Sequence, residues 1–138
     1  MEIKTAGSQP SAKGPEDWFT GTVRIDPLFD RGEPARVSAA SVTFEPGART
    51  AWHTHPVGQT LYCLSGVGRV QRDGEKVQEL HPGDTVMIPP DVRHWHGAAP
   101  DRLFAHLAMS EITESGAGTT WLEKVSDTDY TKPPAPMG

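Results

Sequence analysis

The residues of this chain best suited to chemistry are two histidines and a glutamine within residues 47–66. His53 and His55 stand at positions i and i+2, and an extended strand sends such side chains to the same face. Two imidazoles therefore converge on one point. The Pro56-Val57-Gly58 segment turns the chain, and Gln59 begins the next apolar run, where its amide can return over that point. The hairpin thus supplies three candidate metal ligands.

A second histidine pair lies downstream, in residues 89–97. His94 and His96 repeat the i, i+2 spacing and supply a fourth candidate ligand. Histidine pairs on extended chain suit a borderline divalent metal, whereas Ca²⁺ and Mg²⁺ prefer oxygen ligands. The two segments together therefore predict a transition-metal site.

The composition is that of one globular domain with a small-molecule or protein partner. The chain has 138 residues, which is long enough to bury a core without a second domain. Its 36% hydrophobic and 22% charged residues are ordinary, but 14 glycines and 13 prolines are many for this length. The formal net charge of -5 offers no basic patch for nucleic acid or an anionic membrane.

The location predicted from the sequence is cytoplasmic. Cys63 is the single cysteine, so the chain can form no internal disulfide and differs from secreted disulfide scaffolds. The N-terminal residues contain no apolar run of signal-peptide type. No run in the sequence approaches the roughly 20 apolar residues of a membrane span.

Short apolar runs separated by glycine and proline turns predict an all-β sandwich or barrel over residues 17–112. Residues 18–29 read as a strand that Pro27 ends. In residues 37–44 the alternation predicts a half-buried strand with Ala40, Val42 and Phe44 facing inward. Residues 1–16 are predicted to form an arm or edge strand. Residues 113–138 are predicted to be an extension with a short helix, capped at Ser126 or Asp127, and a frayed tail.

The histidine segments resemble the two motifs of the cupin family. Gly47, five residues, His53-x-His55, three residues, Gln59, six residues and Gly66 match the first motif at every spacing. The second motif resembles Gly83, five residues, Pro89 and then His94. Three residues depart from the usual pattern: Gln59 replaces Glu, Asp91 replaces Gly and Ala98 replaces Asn. The resemblance covers about residues 36–110 and implies a double-stranded β-helix, or jelly-roll barrel.

A narrower resemblance extends over nearly the whole chain up to Tyr130. The start MEIKTAGSQ, the strand WFTGTVRIDPLF and the segment RHWHGAAP are similar to a bacterial subgroup of small manganese cupins that act as hydroxynitrile lyases. That subgroup also has Gln at the fourth ligand position. The resemblance implies His53, His55, Gln59 and His94 as ligands of Mn²⁺, with Fe²⁺, Zn²⁺ and Ni²⁺ as alternatives. It also implies a homo-oligomer, either a dimer or a tetramer.

The proposed ligand set favours Lewis-acid chemistry. Three neutral imidazoles and a neutral amide leave the full charge of a divalent cation uncompensated, so the cation can polarise an alcohol or carbonyl oxygen. Cyanohydrin cleavage also needs a base near the hydroxyl. His106 is the candidate base, and it resembles the non-ligand active-site histidine of the lyase subgroup. His96 is the candidate group for binding or reprotonating cyanide.

An apolar pocket for an aryl or alkyl group is predicted beside these histidines. Its candidate lining residues are Ala40, Val42, Phe44, Leu61, Cys63 and Ser110. Two other functions remain open on the sequence. The first is a cupin oxidoreductase or dioxygenase that uses the same metal site, against which Gln59 weighs. The second is a non-catalytic module that binds a small molecule unchanged.

Overall fold

Thirteen strands and one short helix make up the regular structure of residues 1–136, which are the residues that this computed structural model describes. In chain order they are β1 (Ala12–Lys13), β2 (Phe19–Thr20), β3 (Val23–Asp30), β4 (Val37–Phe44), β5 (Arg49–Thr50), β6 (His53–Thr54), β7 (Gln59–Gly66), β8 (Gly68–Arg72), β9 (Gln78–Leu80), β10 (Thr85–Ile88), β11 (His94–Ala98), β12 (Phe104–Glu111), β13 (Thr120–Trp121) and α1 (Asp127–Tyr130). Within this described part of the chain, no helix is long and apolar enough to span a membrane.

The strands form two antiparallel sheets that curl into one barrel. The first sheet has the order β1-β3-β4-β12-β7-β10, and the second has the order β13-β6-β11-β5-β2, with β8 pairing to β11 and β9 to β8. The main apolar core lies between the sheets and contains Phe19, Val23, Val42, Phe44, Ala48, Cys63, Leu80, Ala98 and Phe104. This architecture confirms the all-β barrel predicted from the spacing of the turns, and the jelly roll that the cupin resemblance implies.

The centre of the first sheet presents a ladder of inward-facing side chains. Strand β12 pairs with both β4 and β7, which sets His106 opposite Val42 on one side and Cys63 on the other. Val42 and Phe44 are buried, and Ala40 packs against the core, as the alternation in β4 predicts. Every second residue of β12 after His106 points to the same inward face. The inward-facing side chains therefore continue to the end of the barrel at which β12 ends.

The predicted end of the first long strand at Pro27 is wrong, because β3 continues to Asp30. Its pairing with β4 shifts register between Pro27 and Phe29, so the strand accommodates the proline at a bulge. The pairing of β1 with β3 ends at Ile25. Beyond it the Gln9 side chain donates to the carbonyls of Pro27 and Leu28, so these two carbonyls have a donor where the pairing with β1 has ended.

The C-terminal segment packs onto the outside of the second sheet. Strand β13 pairs with β6, and Val125 and Tyr130 are buried with residues of the sheet's outer surface. Helix α1 begins after Ser126, whose hydroxyl accepts from the Asp129 N–H. Of the predicted frayed tail, residues 137–138 lie outside the described residues, and the Ala135 N–H donates to the Val77 carbonyl.

Asp91 occupies a backbone conformation that explains one departure from the cupin pattern. Its φ of 60° lies in the left-handed region, where glycine is favoured and aspartate is among the better tolerated alternatives. The Asp91 N–H donates to the His55 carbonyl at 2.9 Å. This turn therefore ties the loop before β11 to the loop after β6, and so joins the two histidine segments.

Candidate metal centre and active site

Three buried histidines from the second sheet form a cluster that can hold a divalent metal. His53 lies on β6 directly opposite His94 on β11, and His96 follows two residues later on the same face. One ring nitrogen from each of the three lies within 4.8 Å of the others. A cation at their centre would lie within reach of all three nitrogens, and imidazole is a preferred ligand of transition metals.

His55 and Gln59 border the same cluster. The ring centroid of His55 is 4.9 Å from that of His53 and 5.4 Å from that of His94. The His55 Nε2 and the Gln59 Oε1 are both buried and have no hydrogen-bond partner among the described residues. The Gln59 Nε2 donates to the Ser110 hydroxyl at 2.9 Å, which fixes the amide with its oxygen as the free atom.

Hydrogen bonds also determine which nitrogen each histidine offers. The Nδ1 atoms of His53 and His94 lie 2.8 Å from the carbonyls of Ala51 and Val92. A carbonyl only accepts, so each Nδ1 carries the proton and each Nε2 keeps its lone pair. The Nδ1 of His55 is likewise engaged, at 3.1 Å from the Thr119 hydroxyl. This donor set fits a metal ion, since the Nε2 atoms of His55 and His94 and the Oε1 of Gln59 are buried and have no hydrogen-bond partner among the described residues.

Burial keeps these imidazoles neutral. It lowers the pKa of His53 well below its usual range, with His94 as the next contributor. Burial and the neighbouring His94 lower the pKa of His55 to about 4, and burial also lowers that of His94. Desolvation disfavours the charged form of each ring, so the cluster presents lone pairs at neutral pH.

His96 connects the metal cluster to His106. The Nδ1 of His96 lies 3.1 Å from the Nε2 of His106, and both rings are buried. His106 is also packed against Phe44 and Phe104, at centroid distances of 5.4 Å and 5.5 Å. Burial lowers the pKa of His106 to about 4, and burial together with His106 lowers the pKa of His96 well below its usual range.

A cavity of about 370 Å³ opens beside Gln59 at the end of the barrel. Ala40 and Ser110 of the predicted pocket line it, together with Ala108. The other predicted pocket residues lie deeper and are buried in the core, namely Val42, Phe44, Leu61 and Cys63. Burial raises the pKa of the Cys63 thiol to about 11, which suits a core residue better than a nucleophile.

Several residues near the site were missed by the sequence reasoning. Gln9 and Phe29 line the cavity, Thr119 contacts His55, and Trp121 contacts His53. Gln9 reaches the cavity only because its side chain binds the carbonyls of Pro27 and Leu28 in β3. These contacts join parts of the chain that are distant in sequence, so no local pattern indicates them.

Comparisons with known proteins agree with the fold. The cupin domain family matches residues 40–107, which contain both histidine segments. An (R)-mandelonitrile lyase from Granulicella tundricola is 60% identical over 130 residues, covering 94% of this chain and 98% of that protein. A cupin-like protein from Thermotoga maritima has a TM-score of 0.81 and 40% identity, and the match covers 94% of this chain and 95% of that one.

A more distant structure shares the fold alone. A polyketide cyclase from Streptomyces resistomycificus has a TM-score of 0.73 at 18% identity, covering 94% of this chain and 90% of its own. The near relatives match over almost their full length, and the family match includes the motifs that supply the histidines. The chain belongs to the cupin family.

Proposed function

We propose that this protein is a metal-dependent hydroxynitrile lyase, which cleaves cyanohydrins to hydrogen cyanide and a carbonyl compound or forms them from these two. The proposed carbonyl compound is aromatic. The observation that carries the proposal is the buried His106, whose Nε2 lies 3.1 Å from the Nδ1 of His96, itself one of the three clustered histidines. Such a site places a base next to a position where a bound cation can act as a Lewis acid. The similarity to an (R)-mandelonitrile lyase over 94% of the chain supports the same reaction.

The proposed ligands are His53, His55, Gln59 and His94. A divalent cation bound by them supplies Lewis acidity, which polarises the substrate oxygen and stabilises the negative charge that develops on it. All four ligands are uncharged in this arrangement, so none reduces the charge of the cation. The protein orients them through their other polar atoms, which are bonded to Ala51, Thr119, Ser110 and Val92.

His106 is the proposed base, and His96 lies between His106 and the proposed metal ligands. In cleavage, the cyanohydrin hydroxyl loses its proton to the imidazole pair, and the carbon–carbon bond breaks with its electrons leaving on cyanide. The protonated pair then returns the proton to cyanide, which departs as hydrogen cyanide. Burial holds the pair neutral beforehand, and proton transfer by a placed imidazole contributes about 10²- to 10⁴-fold to the rate.

The cavity at the end of the barrel is the proposed place for the substrate's aryl group. Ala40, Ala108 and Phe29 give it an apolar lining next to Gln59. Its volume of about 370 Å³ is sufficient for a benzyl-sized group. Ser110 lies at the same point, and its hydroxyl already accepts from Gln59, so it links the pocket to the metal ligands.

Mn²⁺ is the proposed metal. A set of three imidazole nitrogens and one amide oxygen mixes the ligand preferred by later transition metals with an oxygen ligand that suits manganese. Metal analysis of protein purified without added metal tests this assignment. Manganese at near one equivalent per chain supports it, whereas iron, zinc or nickel at that level contradicts it.

We also propose a homo-oligomer, either a dimer or a tetramer. The outward face of β7 and β10 exposes apolar side chains, with Met87 at 79%, Tyr62 at 42% and Leu64 at 41% exposure. A clustered apolar surface of this kind is typical of an interface. Light scattering coupled to size-exclusion chromatography measures the mass directly, and a monomer at micromolar concentration would contradict the proposal.

A cytoplasmic location is retained as a proposal. Its support is the single cysteine at position 63, which is buried and has a raised pKa, so the fold depends on no oxidising compartment. Fractionation of cells that produce the full chain tests it.

The experiment that tests the proposed reaction is mandelonitrile cleavage, followed as benzaldehyde release after subtraction of the spontaneous rate. The purified protein is assayed after chelation and again after reloading with Mn²⁺. The proposal requires that chelated protein is inactive and that Mn²⁺ restores cleavage. Absence of cleavage above background in protein with one metal per chain would overturn it.

A further inference from the structure

Thr119 contacts the metal centre from a part of the chain outside both histidine motifs. Its hydroxyl lies 3.1 Å from the Nδ1 of His55, although the two residues are 64 positions apart. Thr119 directly precedes β13, the strand that the C-terminal segment adds beside β6. The contact therefore exists only because the C-terminal segment folds back over the metal-binding strand.

The partner of His55 differs in kind from the partners of His53 and His94. Those two rings bond the backbone carbonyls of Ala51 and Val92, each two residues earlier in the same segment. A carbonyl of the same segment is positioned by the strand itself. His55 instead lies beyond the end of β6, in the turn closed by the bond from the Gly58 N–H to the His55 carbonyl. A side chain from another segment holds its ring.

The segment that carries Thr119 is firmly fixed against β6. Thr120 and Trp121 pair with Thr54 and His53, and the Leu122 N–H donates to the Trp52 carbonyl at 2.8 Å. The Trp52 N–H in turn donates to the Glu123 carbonyl at 2.9 Å. These bonds leave the Thr119 hydroxyl little freedom to move away from His55.

Aromatic packing holds the same segment from its other side. The Trp121 ring lies 4.7 Å from the His53 ring and is stacked on Trp18 at 5.0 Å with an interplanar angle of 6°. The strand that positions Thr119 therefore also forms one wall of the histidine cluster. Movement of this segment would disturb both His53 and His55.

We propose that Thr119 is a positioning residue of the metal centre, which holds His55 with its Nε2 facing the other ligands. The inference rests on the ligand set proposed above, in which His55 binds the metal through Nε2. Its Nδ1 then carries the proton and donates to the Thr119 oxygen. The His55 Nε2 is buried and free of partners within residues 1–136, as this role requires. Contacts of this kind typically change metal affinity by about 10- to 100-fold when removed.

The test compares Thr119→Val, which removes the hydroxyl at nearly constant volume, with Thr119→Ser, which keeps it. Affinity for Mn²⁺ is measured by competition with a chelator, and the Co²⁺-loaded proteins are compared by their visible absorption spectra. Thr119→Val is expected to bind Mn²⁺ about 10- to 100-fold more weakly and to alter the Co²⁺ spectrum. Thr119→Ser is expected to keep the wild-type affinity and spectrum.

Thr113→Val is the matched control, because it removes a hydroxyl from the same C-terminal segment. The Thr113 hydroxyl accepts from the Ala117 N–H and contacts no histidine in the part of the chain that the structure describes. This control is expected to leave both metal readouts unchanged. The unfolding midpoint of each metal-free variant is recorded, and Thr119→Ala replaces the valine variant if that protein does not fold.

Wild-type Mn²⁺ affinity and a wild-type Co²⁺ spectrum in Thr119→Val would overturn the proposal. Equal weakening in Thr119→Ser or in Thr113→Val would also overturn it, because the effect would not depend on the hydroxyl at His55. Neither readout involves catalysis. A wild-type protein that binds Mn²⁺ but fails to cleave mandelonitrile therefore contradicts the proposed reaction while leaving the role of Thr119 to be decided by metal affinity.

Discussion

Strand β11 carries aromatic rings on both of its faces, and the ring nitrogens of the two faces differ in their hydrogen bonding. On the inner face, the Nε2 atoms of His94 and His96 are buried and have no hydrogen-bond partner in the described part of the molecule. On the outer face, the Trp95 Nε1 donates to the Gln71 amide oxygen at 2.8 Å. Leaving a buried polar atom unpaired costs about 1–3 kcal/mol. The inner face therefore leaves two ring nitrogens free to bind another group, whereas the hydrogen bond on the outer face contributes to stability.

The outer face is sealed by the C-terminal segment. Trp95 packs there with Trp52, Val77, Val125 and Tyr130. The Tyr130 hydroxyl donates to the Ala98 carbonyl, and the Tyr130 ring lies 4.4 Å from the Arg49 guanidinium carbon. Arg49 also donates to the Val125 carbonyl and the Asp127 carboxylate. Adjacent residues of one strand thus serve different purposes, and substitutions on the two faces should separate function from folding.

The largest expected effect comes from removing a metal ligand on the inner face. His94→Ala should lower mandelonitrile cleavage by about 10⁴-fold or more, since a bound metal contributes several kcal/mol of charge stabilisation. Metal content should fall in parallel, and the metal-free variant should unfold at a somewhat lower denaturant concentration than wild type, because a buried ring has been deleted. A variant that keeps one metal per chain and normal cleavage would remove His94 from the site.

His96→Ala tests whether His96 acts in catalysis or as a metal ligand. Cleavage should fall by about 10²- to 10⁴-fold, since the contact between the metal side and His106 is lost. Metal content should stay at the wild-type level, because His53, His55, Gln59 and His94 remain. His96→Asn is the companion variant, as it retains a polar group without a base. Loss of the metal in both variants would instead make His96 a ligand.

Trp95→Ala tests the outer face. It should lower the free energy of unfolding by about 3–5 kcal/mol, since a large buried ring is deleted. Cleavage per folded molecule and metal content should remain close to wild type. Trp95→Phe is the milder control and should lose less stability. If metal affinity falls as much as in His94→Ala, the two faces are not separable.

The convergence of the histidines could be predicted because it depends on local periodicity. Strand parity places His53 near His55 and His94 with His96, and the rings do meet in the barrel. Parity also places His106 on one face of β12 with Phe104 and Ala108, but only the folded barrel shows that this face is buried. The contact between His96 and His106 requires the two sheets to face each other, so sequence spacing alone does not predict it.

Features that depend on distant segments could not be predicted. Arg49 is buried, and its guanidinium donates to the carboxylate of Asp127 in the C-terminal helix, 78 positions away. Thr119 reaches His55 only through the pairing of β13 with β6. Pro27 was expected to end a strand, but β3 continues past it through a register shift in its pairing with β4. Each of these residues has a local sequence without distinguishing features.

The stability of the metal-free protein should also depend on pH, and the buried histidines inside the barrel should dominate this dependence. The folded-state pKa values of His55 and His106 are about 4, below the ordinary value of 6.5. Their contribution to stability is complete above about pH 6.5 and is lost as pH falls towards 4, at up to about 3 kcal/mol for each. Denaturant unfolding across this range measures it, with Trp95→Phe expected to show the same slope. A flat profile would contradict the neutral, buried state of the two rings.

The most direct test of the account is mandelonitrile cleavage by Mn²⁺-loaded His106→Ala at metal content matched to wild type. This variant is expected to bind the metal normally and to cleave mandelonitrile about 10²- to 10⁴-fold more slowly, because His106 lies beyond the proposed ligands and supplies the base. Cleavage at the wild-type rate would contradict the role of the His96–His106 pair.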